Sequence, residues 1–269
     1  MESGNCIGVF DSGVGGLSVL RHIRALLPNE NLLYVADSGN APYGNKPLEW
    51  IEQRSMQLTA FLAEHGAKAI VVACNTATAA AAPALRNHFA MPIVAMEPAV
   101  KPAVMATRNH RIGVLATVGT LHSARFAALL ERFADGVEVV TQHCPGWVEA
   151  VERGELDTSA TRQLVRSHVE PLLEQGADTL VLGCTHYPFL RPLIEEIAGA
   201  NIPIIDTGEA VARQLKRRLA ECTLQDNHSA KGSEAFWCSA DSSHAGKVMS
   251  LLWKRPIIVL PLPEIANCP

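Results

Sequence analysis

Cys74 and Cys184 are the residues of this sequence best placed to do chemistry. Each ends an apolar run, Ile70-Val71-Val72-Ala73 before one and Leu180-Val181-Leu182-Gly183 before the other, and polar residues follow, Asn75-Thr76 and Thr185-His186. Such runs read as buried strands, and active sites of parallel α/β sheets gather at the carboxyl ends of strands. A thiol that opens the next helix lies near free backbone N–H groups, which favour its thiolate form. One buried cysteine alone is usually a small hydrophobe. Two in matching positions, each trailed by polar residues, point to function. The hydroxyls of Thr76 and Thr185, the Asn75 amide and the N–H groups of helix starts suit a small carboxylate ligand. The two threonines would serve equally as helix caps with no ligand at all. His186, two residues past Cys184, is placed to orient or protonate a neighbouring group.

Asp11-Ser12-Gly13-Val14-Gly15-Gly16 follows the first apolar run, so Asp11 and Ser12 sit at another carboxyl-end turn, beside glycines that allow close backbone approach. The same stretch supports a second reading. Gly13-x-Gly15-x-x-Ser18 is similar to a dinucleotide fingerprint with its third glycine replaced, and Asp37 lies near the spacing of a ribose-binding acid. Against it, Asp11 and Ser12 intervene between strand and glycines, where an acid would repel a pyrophosphate. Pro42-Tyr43-Gly44 lies in a Gly/Asn/Pro-rich loop; Tyr43 is either a loop anchor or, with the open backbone of Gly44, a lid over a ligand. Asp37 and Glu152 are further acids of interest, for which simple solvation is the usual fate.

Positioning these groups falls to alternating strands and helices. Strands are expected at Ile7–Phe10, Leu32–Ala36, Ala69–Ala73, Ile93–Ala95, Arg111–Leu115, Val137–Val140, Thr179–Leu182 and Ile202–Ile205. Helical periodicity covers Leu17–Leu27, Pro47–His65, Ala77–His88, Ser123–Ala134, Thr158–Gln175 and Leu190–Ala198. This alternation predicts an α/β fold with mainly parallel sheets. The chain also half-repeats itself. Ile7-Gly8-Val9-Phe10 is matched 105 residues later by Ile112-Gly113-Val114-Leu115, and Cys74 is matched 110 residues later by Cys184. Two nearly equal offsets predict two pseudo-symmetric α/β domains facing a shared cleft, with one cysteine on each side. The expected division is 1–98, completed by 210–269, and 99–209. The tail is expected to be helical from Asp206 through Leu219, then polar, and to pack back on the first unit.

Composition limits the remaining classes. With 48% hydrophobic and 19% charged residues in a chain of 269, a disordered protein is excluded. A net charge of −4 argues against nucleic-acid or anionic-membrane partners. No run is apolar enough to span a membrane, and the start reads as no signal peptide. Seven cysteines without a CxxC pair suggest free thiols in a reducing cytoplasm and no structural zinc.

Taken together, the motifs are familiar. Val9-Phe10-Asp11-Ser12-Gly13-Val14-Gly15-Gly16-Leu17-Ser18, Pro42-Tyr43-Gly44, Ala73-Cys74-Asn75-Thr76-Ala77 and Gly183-Cys184-Thr185-His186 resemble the bacterial glutamate racemases. Pro98-Ala99-Val100-Lys101-Pro102-Ala103, Leu115-Ala116-Thr117-Val118-Gly119-Thr120 and Asp206-Thr207-Gly208 look like further blocks of that family, in order from Ile7 to Arg213. Glu149 stands where the family often has proline, whereas Glu152 keeps its place before Gly154. The resemblance implies interconversion of L- and D-glutamate with neither pyridoxal phosphate nor metal, supplying peptidoglycan synthesis, and a cytoplasmic homodimer. It implies Cys74 and Cys184 as catalytic acid and base, assisted by Asp11, His186 and Glu152. It also implies Asp11, Ser12, Tyr43, Gly44, Asn75, Thr76, Thr185 and His186 as the substrate-binding set. Some Gram-negative members carry a longer N-terminal extension and need a peptidoglycan-precursor activator; only six residues precede Ile7, so activity without one is expected. Two other classes stay open: another enzyme of the superfamily, such as an aspartate racemase or a decarboxylase, and a non-catalytic amino-acid or nucleotide binding module.

Overall fold

The computed structural model describes residues 5–226 and 230–264. Among them are two sheets in which every pairing is parallel. The first is built around β1 (Cys6–Asp11), with β2 (Asn31–Ala36) on one side and β3 (Ala67–Val72) then β4 (Ile93–Ala95) on the other. The second is built around β5 (Arg111–Ala116), with β6 (Glu138–His143) on one side and β7 (Thr179–Leu182) then β8 (Ile204–Ile205) on the other. The orders β2-β1-β3-β4 and β6-β5-β7-β8 are the same, so the sequence repeat is a repeat of topology. Two more strands extend only the first sheet: β9 (Glu234–Cys238) pairs with β2, and β10 (Val259–Pro261) pairs with β9.

The central strands are apolar throughout because both of their faces are covered. Ile7 and Val9 of β1 enter one core, while Cys6 and Phe10 enter another. In β5, Leu115 faces the first core, and Ile112, Val114 and Ala116 face a third. At about 1.5–3 kcal/mol for each fully buried aliphatic side chain, a one-residue slip of either strand is strongly disfavoured. The first core is continuous across the molecule, joining Val9 and Val71 of one sheet to Leu115 and Leu180 of the other. Gly8 and Gly113 occupy equivalent places in β1 and β5, and each lets a helix side chain approach closely. A Cβ would lie 3.0 Å from Leu62 Cβ in the first case and 2.9 Å from Leu172 Cδ1 in the second.

The helices are α1 (Leu17–Leu26), α2 (Leu48–Glu64), α3 (Asn75–His88), α4 (Val100–Ala106), α5 (Val118–Leu121) and α6 (Ala124–Phe133). They continue with α7 (Trp147–Glu152), α8 (Ser159–Glu174), α9 (Arg191–Ala198), α10 (Gly208–Glu221) and α11 (Ser242–Trp253). Helix starts follow their caps: Ser123 accepts from the Phe126 amide, and Thr158 from the Thr161 amide. The tail does return to the first sheet, but as β9, α11 and β10 rather than as a polar stretch. Its signal is short: only Phe236, Trp237 and Cys238 of β9 are buried. Strand β6 extends three residues past the expected Val140 because an edge strand needs no apolar run. Helices α4, α5 and α7 have too few turns to show periodicity. Among the described residues no helix is long and apolar enough to cross a membrane.

Candidate active site

The carboxyl ends of β1, β3, β5 and β7 converge between the two sheets. Asp11 closes β1 and is fully buried. Its carboxylate accepts from the Ser12 amide (2.7 Å), the Gly16 amide (2.6 Å), the Ser12 hydroxyl (3.3 Å) and the Thr185 hydroxyl (3.1 Å). Burial pushes this carboxyl above the usual range, outweighing the His186 charge and the backbone hydrogen bonds that favour its ionised form.

Cys74 is the N-cap of α3. Its sulfur accepts from the Ala77 amide at 3.4 Å and lies 3.7 Å from the Ser12 hydroxyl. The helix start pulls toward thiolate, as the sequence leads one to expect. Burial, reinforced by the Asp11 charge, overrides it and holds the thiol well above its ordinary value. Cys74 is therefore a protonated thiol near neutral pH. Cys184 follows β7, but the expected helix does not begin there; a 3-10 turn over Tyr187–Leu190 comes first. Pro188 has no N–H to send back to the Cys184 carbonyl, and the Tyr187 amide makes the shorter turn instead (3.2 Å).

The partners of Cys184 differ from those of Cys74. Its sulfur is 3.7 Å from His186 Nδ1, and His186 Nε2 is 2.6 Å from the Glu152 carboxylate. Burial opposes a charge on this imidazole, but the hydrogen bonds to Cys184 and Glu152 outweigh it and hold His186 protonated well above its usual range. Glu152 ends α7 and also accepts from the Val14 amide at 2.7 Å. The loop glycines make room for this arrangement: a Cβ on Gly13 would strike the Glu152 carboxylate, and one on Gly15 the His186 ring. The dinucleotide reading fails here. The amides of Ser12, Val14 and Gly16, which a pyrophosphate would need, are already taken by Asp11 and Glu152.

Cys74 and Cys184 line one cavity together with Ser12, Tyr43, Gly44, Asn75, Thr76, Thr185 and His186. The expected set thus converges, with two differences. Asp11 and Glu152 lie behind the wall, touching Ser12 and His186 rather than the cavity. The Tyr43 hydroxyl points away from it and donates to Asp37 (2.6 Å). Nor is Asp37 solvated: it is fully buried and paired with Arg54. Both Asn75 amide atoms are buried without a protein partner, as expected of a group that serves a ligand.

Thr117 and Thr120, legible in the sequence only as part of a family block with no site role, and Val148, which no motif marks, also line the wall. The Thr76 hydroxyl is 3.0 Å from that of Thr117 and 3.3 Å from that of Thr120. Thr117 follows β5, so the rule that located Cys74 and Cys184 would also have found it. A wider groove of about 680 Å³ runs along β4 and α10, and neither thiol lines it. Among the described residues no group of three or more His, Cys, Asp or Glu stands where it could hold a metal ion.

Two topologically repeated parallel sheets, each presenting a cysteine to one cavity, define a class, and the chain belongs to the Asp/Glu/hydantoin racemase family, whose profile matches residues 7–215. Its isomerase relatives share a narrower name. The chain is 59% identical over 257 residues to a glutamate racemase of Methylococcus capsulatus, covering 96% of this chain and 95% of that one. A glutamate racemase isoform of Bacillus anthracis superposes with a TM-score of 0.88 at 32% identity, over 97% of this chain and 98% of that one. The Escherichia coli glutamate racemase, solved with L-glutamate and the activator UDP-MurNAc-Ala, superposes with a TM-score of 0.85 at 32% identity, over 96% and 97%.

Proposed function

We propose that the protein interconverts L- and D-glutamate without a cofactor, by a two-base mechanism, and supplies D-glutamate for peptidoglycan as a cytoplasmic homodimer. The observation that carries the reading is a pair of buried thiols with unlike partners on one cavity. Inverting Cα needs a proton removed from one face and another delivered to the opposite face. With L-glutamate, the Cα–H bond breaks toward the Cys184 sulfur, and the Cys74 S–H delivers its proton to the other face. The reverse reaction starts from a Cys74 thiolate. Each turnover swaps the two protonation states, and exchange with solvent restores them.

The unlike surroundings suit this direction: Cys74 keeps its proton, while His186 holds one against the Cys184 sulfur. Asn75 and the hydroxyls of Ser12, Thr76 and Thr185 suit the substrate carboxylates and amine. Asp11 assists beside Cys74, and Glu152 acts through His186. In this reading the domains are 1–98, completed by 210–269, and 99–209, each supplying one thiol.

Racemisation in D₂O, followed by proton NMR and optical rotation, tests the proposal. From L-glutamate, early D-glutamate should carry deuterium at Cα, while recovered L-glutamate carries little. Cys74→Ala and Cys184→Ala should each lower the rate by about 10²–10⁴-fold, the usual contribution of an acid or base. D-glutamate that keeps the substrate's own hydrogen would mean that one base moves one proton. Turnover of L-aspartate but not of L-glutamate would replace the substrate.

A further inference from the structure

Asp37 lies just beyond β2, and its amide donates to the Asp11 carbonyl (3.0 Å), which ties it to the end of β1 behind the cavity wall. Its buried carboxylate is densely satisfied. Oδ1 accepts from Arg54 Nη2 (2.6 Å), and Oδ2 accepts from Arg54 Nε (2.9 Å) and the Tyr43 hydroxyl (2.6 Å). The Asn40 amide adds longer contacts to both oxygens, at 3.2 and 3.1 Å. Arg54 stands on α2, away from the cavity, and its side chain is 15% exposed. Its third nitrogen donates to Gln57 on the same helix (3.1 Å), so the guanidinium is fixed in plane. The Tyr43 ring meets Trp50, also on α2, edge-on at 5.5 Å. What this assembly holds is the segment that crosses the cleft. A Cβ on Gly44 would sit 3.1 Å from Thr117, and one on Gly119 would sit 3.0 Å from the Gly44 carbonyl.

We infer that Arg54, acting through Asp37 and the Tyr43 hydroxyl, is a positioning residue that sets the Tyr43–Gly44 segment against the second sheet and so shapes the substrate cavity. The kinetic consequence rests on the racemase reading; the structural consequence does not. The fork of the guanidinium matters, because it takes both carboxylate oxygens in one plane and leaves a single direction for the tyrosine hydroxyl. A buried ion pair kept for stability alone would need no third partner from the cavity wall.

Arg54→Met, Arg54→Lys and Tyr43→Phe test this in the full-length chain with two readouts. In racemisation assays, Arg54→Met should raise KM for L-glutamate about tenfold while kcat changes by less than about threefold, the signature of lost binding geometry rather than lost chemistry. Arg54→Lys should fall between it and the wild type, because an ammonium carries the charge without the fork. Tyr43→Phe, which leaves the ion pair intact, should reproduce the KM increase. In hydrogen exchange of the unliganded proteins, amides of residues 43–46 should exchange about tenfold faster in Arg54→Met, as expected for a local segment that loses its tether. A folded Arg54→Met with wild-type KM, or a Tyr43→Phe indistinguishable from wild type, would overturn the inference, and so would unchanged exchange. If Arg54→Met does not fold, Arg54→Lys and Tyr43→Phe decide on the same readouts. A wild-type protein that leaves glutamate untouched would sink the racemase reading, and the exchange comparison would still judge the tether.

Discussion

The two thiols occupy matching places in a repeated topology, yet their neighbours differ in kind. Cys74 lies 3.7 Å from a serine hydroxyl and feels the charge of the buried Asp11 carboxylate; Cys184 lies 3.7 Å from an imidazole whose charged form is favoured by Cys184 itself and by the Glu152 carboxylate. Glu152→Gln removes one of the two partners that keep His186 protonated. The His186 titration, read from its Cε1–H chemical shift, should then move down toward the ordinary histidine value of about 6.5. An unchanged titration would show that Glu152 has no hold on it. The sign for stability follows. A histidine whose folded pKa is raised contributes fully below its unfolded pKa and loses that contribution as pH rises through the folded one. Denaturant melts should show the gap between wild type and Glu152→Gln closing as the medium becomes alkaline.

At the scale of elements, the loop joining β1 to α1 does its work by being small. Gly13→Ala would push a methyl into the Glu152 carboxylate and so disturb His186 from a distance. The expected result is a large loss of turnover for a stability cost of about 1–3 kcal/mol, the usual range for overpacking. Comparable loss of activity and of folded protein would point to misfolding instead. Thr158→Ala supplies the contrast. It removes the cap of α8, whose oxygen accepts from the Thr161 amide at 3.0 Å, and should cost about 1 kcal/mol in thermal melts with kcat unchanged.

On the scale of the whole molecule, the cavity between the sheets is only about 10 Å³, room for roughly one water and far less than an amino acid needs. Substrate entry is therefore expected to require the two halves to part. The contact to lock is the one between Gly44 and Thr117, where a Cβ would stand 3.1 Å from its neighbour. That is slightly closer than the roughly 3.5–4.5 Å of an ordinary disulfide, so a small shift suffices. The double variant Gly44→Cys/Thr117→Cys should lose turnover on oxidation and regain it on reduction, with oxidised wild type as the control. Equal rates in the two redox states of a demonstrably cross-linked protein would refute the need for opening.

Read alone, the sequence determined the parallel α/β class, the repeat and nine of the fourteen residues of the cavity wall, because each depends on local pattern: apolar runs of strand length, and polar residues just past their ends. It located Cys74, Cys184, Thr76 and Thr185 by one rule, and that rule also covers Thr117. What only the tertiary structure decided are properties that arise between distant segments. The protonation of Cys74 depends on how much burial surrounds a helix start, and no local pattern states that. Asp11 and Glu152 serve from behind the wall because their donors come from loops far along the chain. Asp37 is an ion-pair partner rather than a solvated acid because α2 brings Arg54 to it. The return of β9 and β10 to the first sheet was legible only as a tendency, since three buried residues at Phe236–Cys238 gain their meaning from the open edge of β2.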